Sequence, residues 1–173
     1  MKREELKGFL SQPLRCLTDV KFSAIKKKQF PKPLDALRST KFKASNWFSV
    51  GQGQYAVFVL KNSDVLEQRS IFGWLFREVS GRYEPLVRMD YHCSHKNLHA
   101  KLNCDSPLDL IGRNLVQCKE FDLTKPDRNL RASGFDPDDE QDQKRFVHIF
   151  CERFGIELKS AGDGMSRDIG ELL

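Results

Sequence analysis

The ten residues SIFGWLFREV, Ser70 to Val79, constrain this chain more than any other stretch. From Ile71 to Phe76 both alternating sets of side chains are apolar, which suits a central strand covered on both faces of its sheet. The neighbouring segments read as its partners. QYAVFVLKN, residues 54–62, is β-branched and aromatic and stops at the turn-forming NSD. SGR makes a turn after Val79, and YEPLVRMDYHC, residues 83–93, starts the next strand. Pro85 is tolerable near a strand start or on an edge. LHAKLNC, residues 98–104, gives a fourth strand and VQCKEFDL, residues 116–123, a fifth. The expected sheet is an antiparallel meander of four to five strands.

The helix that covers it is predicted from FDPDDEQDQKRFVHIFCERFGIEL, residues 135–158. Asp136 stands at the N-cap position and Pro137 at the first helical one. Asp138, Asp139 and Glu140 carry the charge that a helix N-terminus favours. Phe146, Ile149, Phe150 and Phe154 make an apolar stripe at helical spacing, and Gly155 supplies the stop. His148 falls off that stripe and reads as a surface residue. A second, short helix is expected over residues 2–10, with Leu6, Phe9 and Leu10 on one side, ending before Pro13. The fold class is α+β: a C-terminal helix packed on an antiparallel sheet, preceded by a basic N-terminal arm.

Charge separates the arm from the rest. Residues 1–45 carry twelve Lys/Arg and four Asp/Glu, a balance of +8, whereas the other 128 residues balance at −3. The expected organisation is an arm over residues 1–45, a core domain over 46–158 and a loosely ordered tail over 159–173. In the arm, Lys26, Lys27, Lys28, Lys32, Lys41 and Lys43 interleave with Phe22, Phe30 and Phe42. That mixture grips a polyanion by charge and stacking, or it is a tethered, solvated arm whose aromatics pack on the core.

The mean hydropathy of −0.53 fits a soluble protein, and no apolar run approaches the ~20 residues that a membrane-spanning helix needs. The N-terminus has no signal-peptide pattern, so a cytoplasmic location is expected. The five cysteines contain no CxxC pair and read as buried thiols rather than a disulfide framework.

Chemistry concentrates in YHCSHKNLHAKLNC, residues 91–104, which holds three of the four histidines. A four-residue loop, Ser94 to Asn97, would set His92 opposite His99, with Arg88, Asp90, Lys101 and Asn103 on the same polar face. Val87, Met89, Tyr91, Cys93, Leu98, Ala100, Leu102 and Cys104 would take the apolar face. Two imidazoles are what metal-free RNA cleavage requires, one taking the ribose 2′-hydroxyl proton and one protonating the leaving 5′-oxygen. Arg88 or Lys101 would offset charge on the transition state, and Asp90 would fix a histidine tautomer. The candidate catalytic set is His92, His99, Arg88, Lys101 and Asp90, with no cofactor and no metal assigned. The same histidines with Asp90 or His95 are an alternative zinc set, although no HExxH is present. A third alternative is a polar face that only meets solvent. Arg113 is a further residue for that face.

The run from Val57 to Ala100 resembles small prokaryotic toxin families of the TumE toxin–antitoxin kind, in which a strand pair leads to an Arg-containing strand and a histidine-rich turn. Arg88, His92, Asn97 and His99 carry the likeness. It implies a ribonuclease-like or toxin–antitoxin context. The partners that follow are nucleic acid, RNA ahead of DNA, and a cognate antitoxin protein, with no membrane. The competing class is a non-enzymatic module that binds nucleic acid or a partner protein through the arm.

Overall fold

A computed structural model of the chain describes residues 3–10, 15–17, 19–26, 29–32, 34–35, 37, 42–94, 98–102 and 133–159. The expected fifth strand, Lys27, Lys28, Lys41, His95, Asn97, Asn103, Cys104, Arg113 and the tail beyond Lys159 lie outside these residues. The chain is α+β, a mostly antiparallel open sheet with a C-terminal helix packed on it. No helix among the described residues is long and apolar enough to cross a membrane.

Helix α1 spans Arg3–Leu10, and short strands follow at Arg15–Leu17 (β1), Ser23–Ala24 (β2) and Phe42–Ala44 (β3). The body of the sheet is Phe48–Gly51 (β4), Gln54–Lys61 (β5), Ser70–Val79 (β6), Arg82–His92 (β7) and His99–Leu102 (β8). Helix α2 covers Glu140–Arg153, and Ile156–Leu158 (β9) closes the described chain. The large sheet runs β2-β3-β5-β6-β7-β8, with β4 also paired to β5. The meander from β5 to β8 is as expected. The strands beyond it come from residues before position 52, where segments of two to four residues are too short to show a period.

Strands β3 and β4 share one edge of β5, and Ser45 bridges the gap between them. Its hydroxyl accepts from the Phe58 amide at 2.9 Å, and its own amide donates to the Phe58 carbonyl at 2.9 Å. The β6–β7 turn places Ser80 and Gly81 at φ 50° and 74°, the left-handed pair that matches the twist of a two-residue hairpin. The register then shifts, with Phe76 opposite Pro85 but Leu75 opposite Val87. Leu86 is the extra residue of a bulge, and Pro85 sits beside it, a position that tolerates proline.

The covering of β6 on two sides comes from opposite ends of the chain. On one face, Phe146, Ile149 and Phe150 of α2 and Phe154, which follows it, pack into one core with Phe58, Ile71, Leu75, Met89 and Tyr91, all buried. Each fully buried aromatic or aliphatic side chain of this kind contributes about 1.5–3 kcal/mol. On the other face, Phe30 and Leu34 from the basic arm bury against Ala44, Val57, Val59 and Phe76. Trp47, Tyr55 and Tyr83 extend that layer, with Trp47 stacked on Tyr55 at 5.8 Å. Strand β1 pairs in parallel with β9, Arg15–Leu17 against Ile156–Leu158, so the arm also ties to the exit of the helix.

The helix starts later than its sequence suggests. Asp139, not Asp136, is the N-cap, and its carboxylate accepts from the amides of Gln141 and Asp142. Asp136 is committed elsewhere: Oδ1 accepts from the Asp138 amide in an Asx turn, and Oδ2 pairs with Arg69 of the sheet. Asp142 reaches back to the Asp136 amide at 2.9 Å, completing a local network around the first turn. Gly155, at φ 62°, follows the C-cap Phe154 and ends the helix as expected.

Candidate functional site on the sheet face

The register of β3, β5, β6, β7 and β8 sorts the candidate residues into three cross-strand rows on the arm-side face. The first row is Phe42, Lys61, Ser70 and His92. The second is Ala44, Val59, Phe72 and Asp90, with His99 as the β8 partner of Asp90. The third is Val57, Trp74 and Arg88, with Lys101 opposite Arg88. Directly paired residues on one face hold their Cβ atoms about 4.5–5.5 Å apart.

The β7–β8 pairing differs by two residues from the expected hairpin. His99 faces Asp90 rather than His92, and Lys101 faces Arg88 rather than Asp90. The connection is longer than four residues, and the slip is even, so the alternation of faces is preserved. Met89, Tyr91, Cys93, Leu98 and Ala100 are buried on the helix side, as the alternation required. His92 and His99 are therefore diagonal across the strand pair, with Asp90 beside one and opposite the other.

Asp90 is the centre of the constellation. Its side chain is only 5% exposed, and Arg88 clamps it with both arms of the guanidinium, Nε donating to Oδ1 at 2.7 Å and Nη2 to Oδ2. His92 Nε2 lies 3.9 Å from Oδ2. Burial pushes the Asp90 carboxyl up, but His92 and Arg88 beside it outweigh that, and the group titrates below the ordinary aspartate range. Two residues along β7, the His92 Nδ1 meets the Ser70 hydroxyl at 2.8 Å. The imidazole is fixed at one nitrogen, while the other lies beyond hydrogen-bond reach of the carboxylate. Phe72 meets His92 edge to face at 5.3 Å, and the Arg88 guanidinium carbon stands 5.9 Å from the Phe72 ring and 5.8 Å from the Trp74 ring.

Other candidates lie apart from this face. Lys26 and Lys32 are exposed on the arm. Lys43 is half-exposed, 4.0 Å from Asp138, and pairs across the strands with Leu60 of the helix-side core. His148 is exposed on α2. Cys93 and Cys151 are buried, and burial pushes the Cys151 thiol up to about 12. Among the described residues no group of three or more His, Cys, Asp or Glu is placed to hold a metal ion.

Ser70, Phe72, Trp74 and Lys61 are the residues that sequence reading missed. The first three share one alternation in SIFGWL, but the bulge at Leu86 hides which set of β7 they meet. Continued straight from the turn, the register would put Ser70 opposite Tyr91 instead of His92.

No protein-family model, curated protein or solved structure matches the chain.

Proposed function

We propose that the protein acts on RNA in the cytoplasm as a metal-independent, ribonuclease-like enzyme of the toxin type. His92 and His99 form its acid/base pair, on the face shared by β6, β7 and β8. The observation that carries the reading is His92, held at Nδ1 by Ser70 on a strand whose next same-face residue, Asp90, pairs in register with His99. One histidine takes the 2′-hydroxyl proton as the 2′-oxygen attacks phosphorus. The other protonates the 5′-oxygen as the P–O5′ bond breaks, leaving a 2′,3′-cyclic phosphate and a 5′-hydroxyl. Asp90 holds charge and orientation between them. Arg88 is spent on Asp90, so the exposed Lys101 opposite it is the cation for the developing phosphorane charge. The lysines of the arm, Lys26, Lys27, Lys28, Lys32, Lys41 and Lys43, collect the polyanion by charge. The likeness to TumE-type toxins adds a cognate antitoxin protein as the expected partner.

A second reading is supported by Phe72 and Trp74, only partly buried beside Arg88: a face that binds nucleic acid without cutting it. RNA incubated with pure protein in EDTA separates the readings. Cleavage that survives the chelator and is lost in both His92→Ala and His99→Ala supports the acid/base pair. Activity stopped by EDTA and restored by zinc identifies the zinc alternative, and retention without cleavage identifies the binding module.

A further inference from the structure

The described residues of the arm bury side chains on one part of its face of the sheet. Phe30 and Leu34 bury against the β3–β5 side and Phe76, whereas Phe72 and Trp74, beside β7, are only partly buried. Those rings are 5.6 Å apart and tilted by 34°, and the Arg88 guanidinium stands beside both. Aromatic surface left open in the middle of a sheet is costly to keep in water, and this pair is bordered by cations. Lys61 lies in the first row, next to that of Phe72, and Lys101, exposed, in the row of Trp74 itself. The acidic residue of these three rows, Asp90, is buried and clamped by Arg88. An anionic, flat-faced ligand fits that combination of charge and ring surface, and unpaired nucleotides have both properties.

We infer that Phe72 and Trp74, with Arg88 beside them, form a stacking platform for unpaired bases, so the RNA recognised by this face is single-stranded rather than duplex. The choice of RNA rests on the proposed function; the choice of single strands rests on the rings. A duplex hides its base faces in its own stack and offers this surface only phosphates.

The test is equilibrium binding of a fully 2′-O-methylated single strand of about eight nucleotides, within the range of site sizes for such surfaces. Methylation blocks attack by the 2′-oxygen, so the result does not depend on the acid/base chemistry. The single strand is expected to bind and to quench tryptophan fluorescence. Trp74→Leu, which keeps apolar bulk but removes the indole, should weaken binding roughly tenfold and abolish most of the quenching, although Trp47 remains. Trp74→Tyr should retain binding. Two comparisons need no variant: an abasic strand of the same length and the matching duplex should each bind about tenfold more weakly. Equal binding of the abasic strand or of the duplex overturns the platform, as does a folded Trp74→Leu protein that binds like the wild type. Single-strand binding by a protein that leaves ordinary RNA uncut would uphold the platform and retire the enzyme reading alone.

Discussion

Phe150 of the C-terminal helix rests on Gly73 of the central strand so closely that a Cβ at position 73 would stand 2.7 Å from the Phe150 Cδ2 and 3.1 Å from the Phe58 Cε1. The glycine interrupts an otherwise bulky strand because the ring needs its volume. Both rings are fully buried and meet edge to face at 5.1 Å, so neither can retreat. Gly73→Ala is expected to destabilise by about 1–3 kcal/mol through overpacking, and Phe150→Ala by about 3–5 kcal/mol through the cavity it leaves. In the double variant the two costs should not add, because the cavity accommodates the new methyl group. Thermal melts of the four proteins check this; strict additivity would place Phe150 elsewhere.

Asp90 ties stability to pH. Its folded pKa lies below the unfolded value of about 3.9. The stabilisation is therefore complete above the ordinary carboxylate range and is lost as pH falls through the folded value. Asp90→Asn is expected to cost about 1.5–3 kcal/mol near neutrality, the scale of a lost charge-assisted hydrogen bond. The gap between variant and wild type should close as the pH is lowered into the acid range. Denaturant titrations across pH measure it, and a gap that widens on acidification would contradict the pairing with Arg88.

The basic arm has two separable roles, because Phe30 and Leu34 bury on the sheet while Lys26 and Lys32 are exposed. Phe30→Ala should destabilise the whole protein by about 3 kcal/mol, and an unchanged melting temperature would show that Phe30 does not pack on the sheet. Replacing Lys26, Lys27, Lys28 and Lys32 by Gln should leave the melting temperature near the wild-type value. It should weaken RNA retention and flatten the salt dependence by up to about one unit of log–log slope per lost phosphate contact. Unchanged salt dependence would remove the arm from nucleic-acid binding.

How much of this was legible in the sequence varies with how local the cause is. Strand β6 is visible because its apolar run is unbroken over six residues, and the stripe of α2 because its helical period extends over several turns. The N-cap was misplaced by three residues because Asp136 and Asp139 look alike until Arg69, distant in sequence, claims the first. Strands β1, β2 and β3 are too short for any periodicity, and the parallel pairing of Arg15–Leu17 with Ile156–Leu158 has no local signature. In the site, the polar alternation of Arg88, Asp90 and His92 was readable. The partners Ser70, Phe72 and Trp74 were not, since one bulge residue, Leu86, decides which face they share.

The division of labour between two cations gives the next expectation. Arg88 is clamped to Asp90, whereas Lys101 is exposed in the same row. Under the proposed chemistry Lys101→Ala should lower the RNA cleavage rate by about tenfold or more with little change in melting temperature. Arg88→Ala should instead act mainly on stability, by leaving Asp90 buried without its clamp. Rates and melts of the two variants side by side decide the assignment.

The most direct measurement is the pH–rate profile of RNA cleavage in EDTA, with the product ends identified. Acid/base catalysis by His92 and His99 should give a bell-shaped profile and fragments ending in 2′,3′-cyclic phosphate and 5′-hydroxyl. Each histidine-to-alanine variant should remove most of the rate, and each should lose one limb of the bell while the fold stays intact. Cleavage that leaves 5′-phosphate ends, or a rate untouched by His92→Ala in a folded protein, would contradict the assignment of this face as the active site.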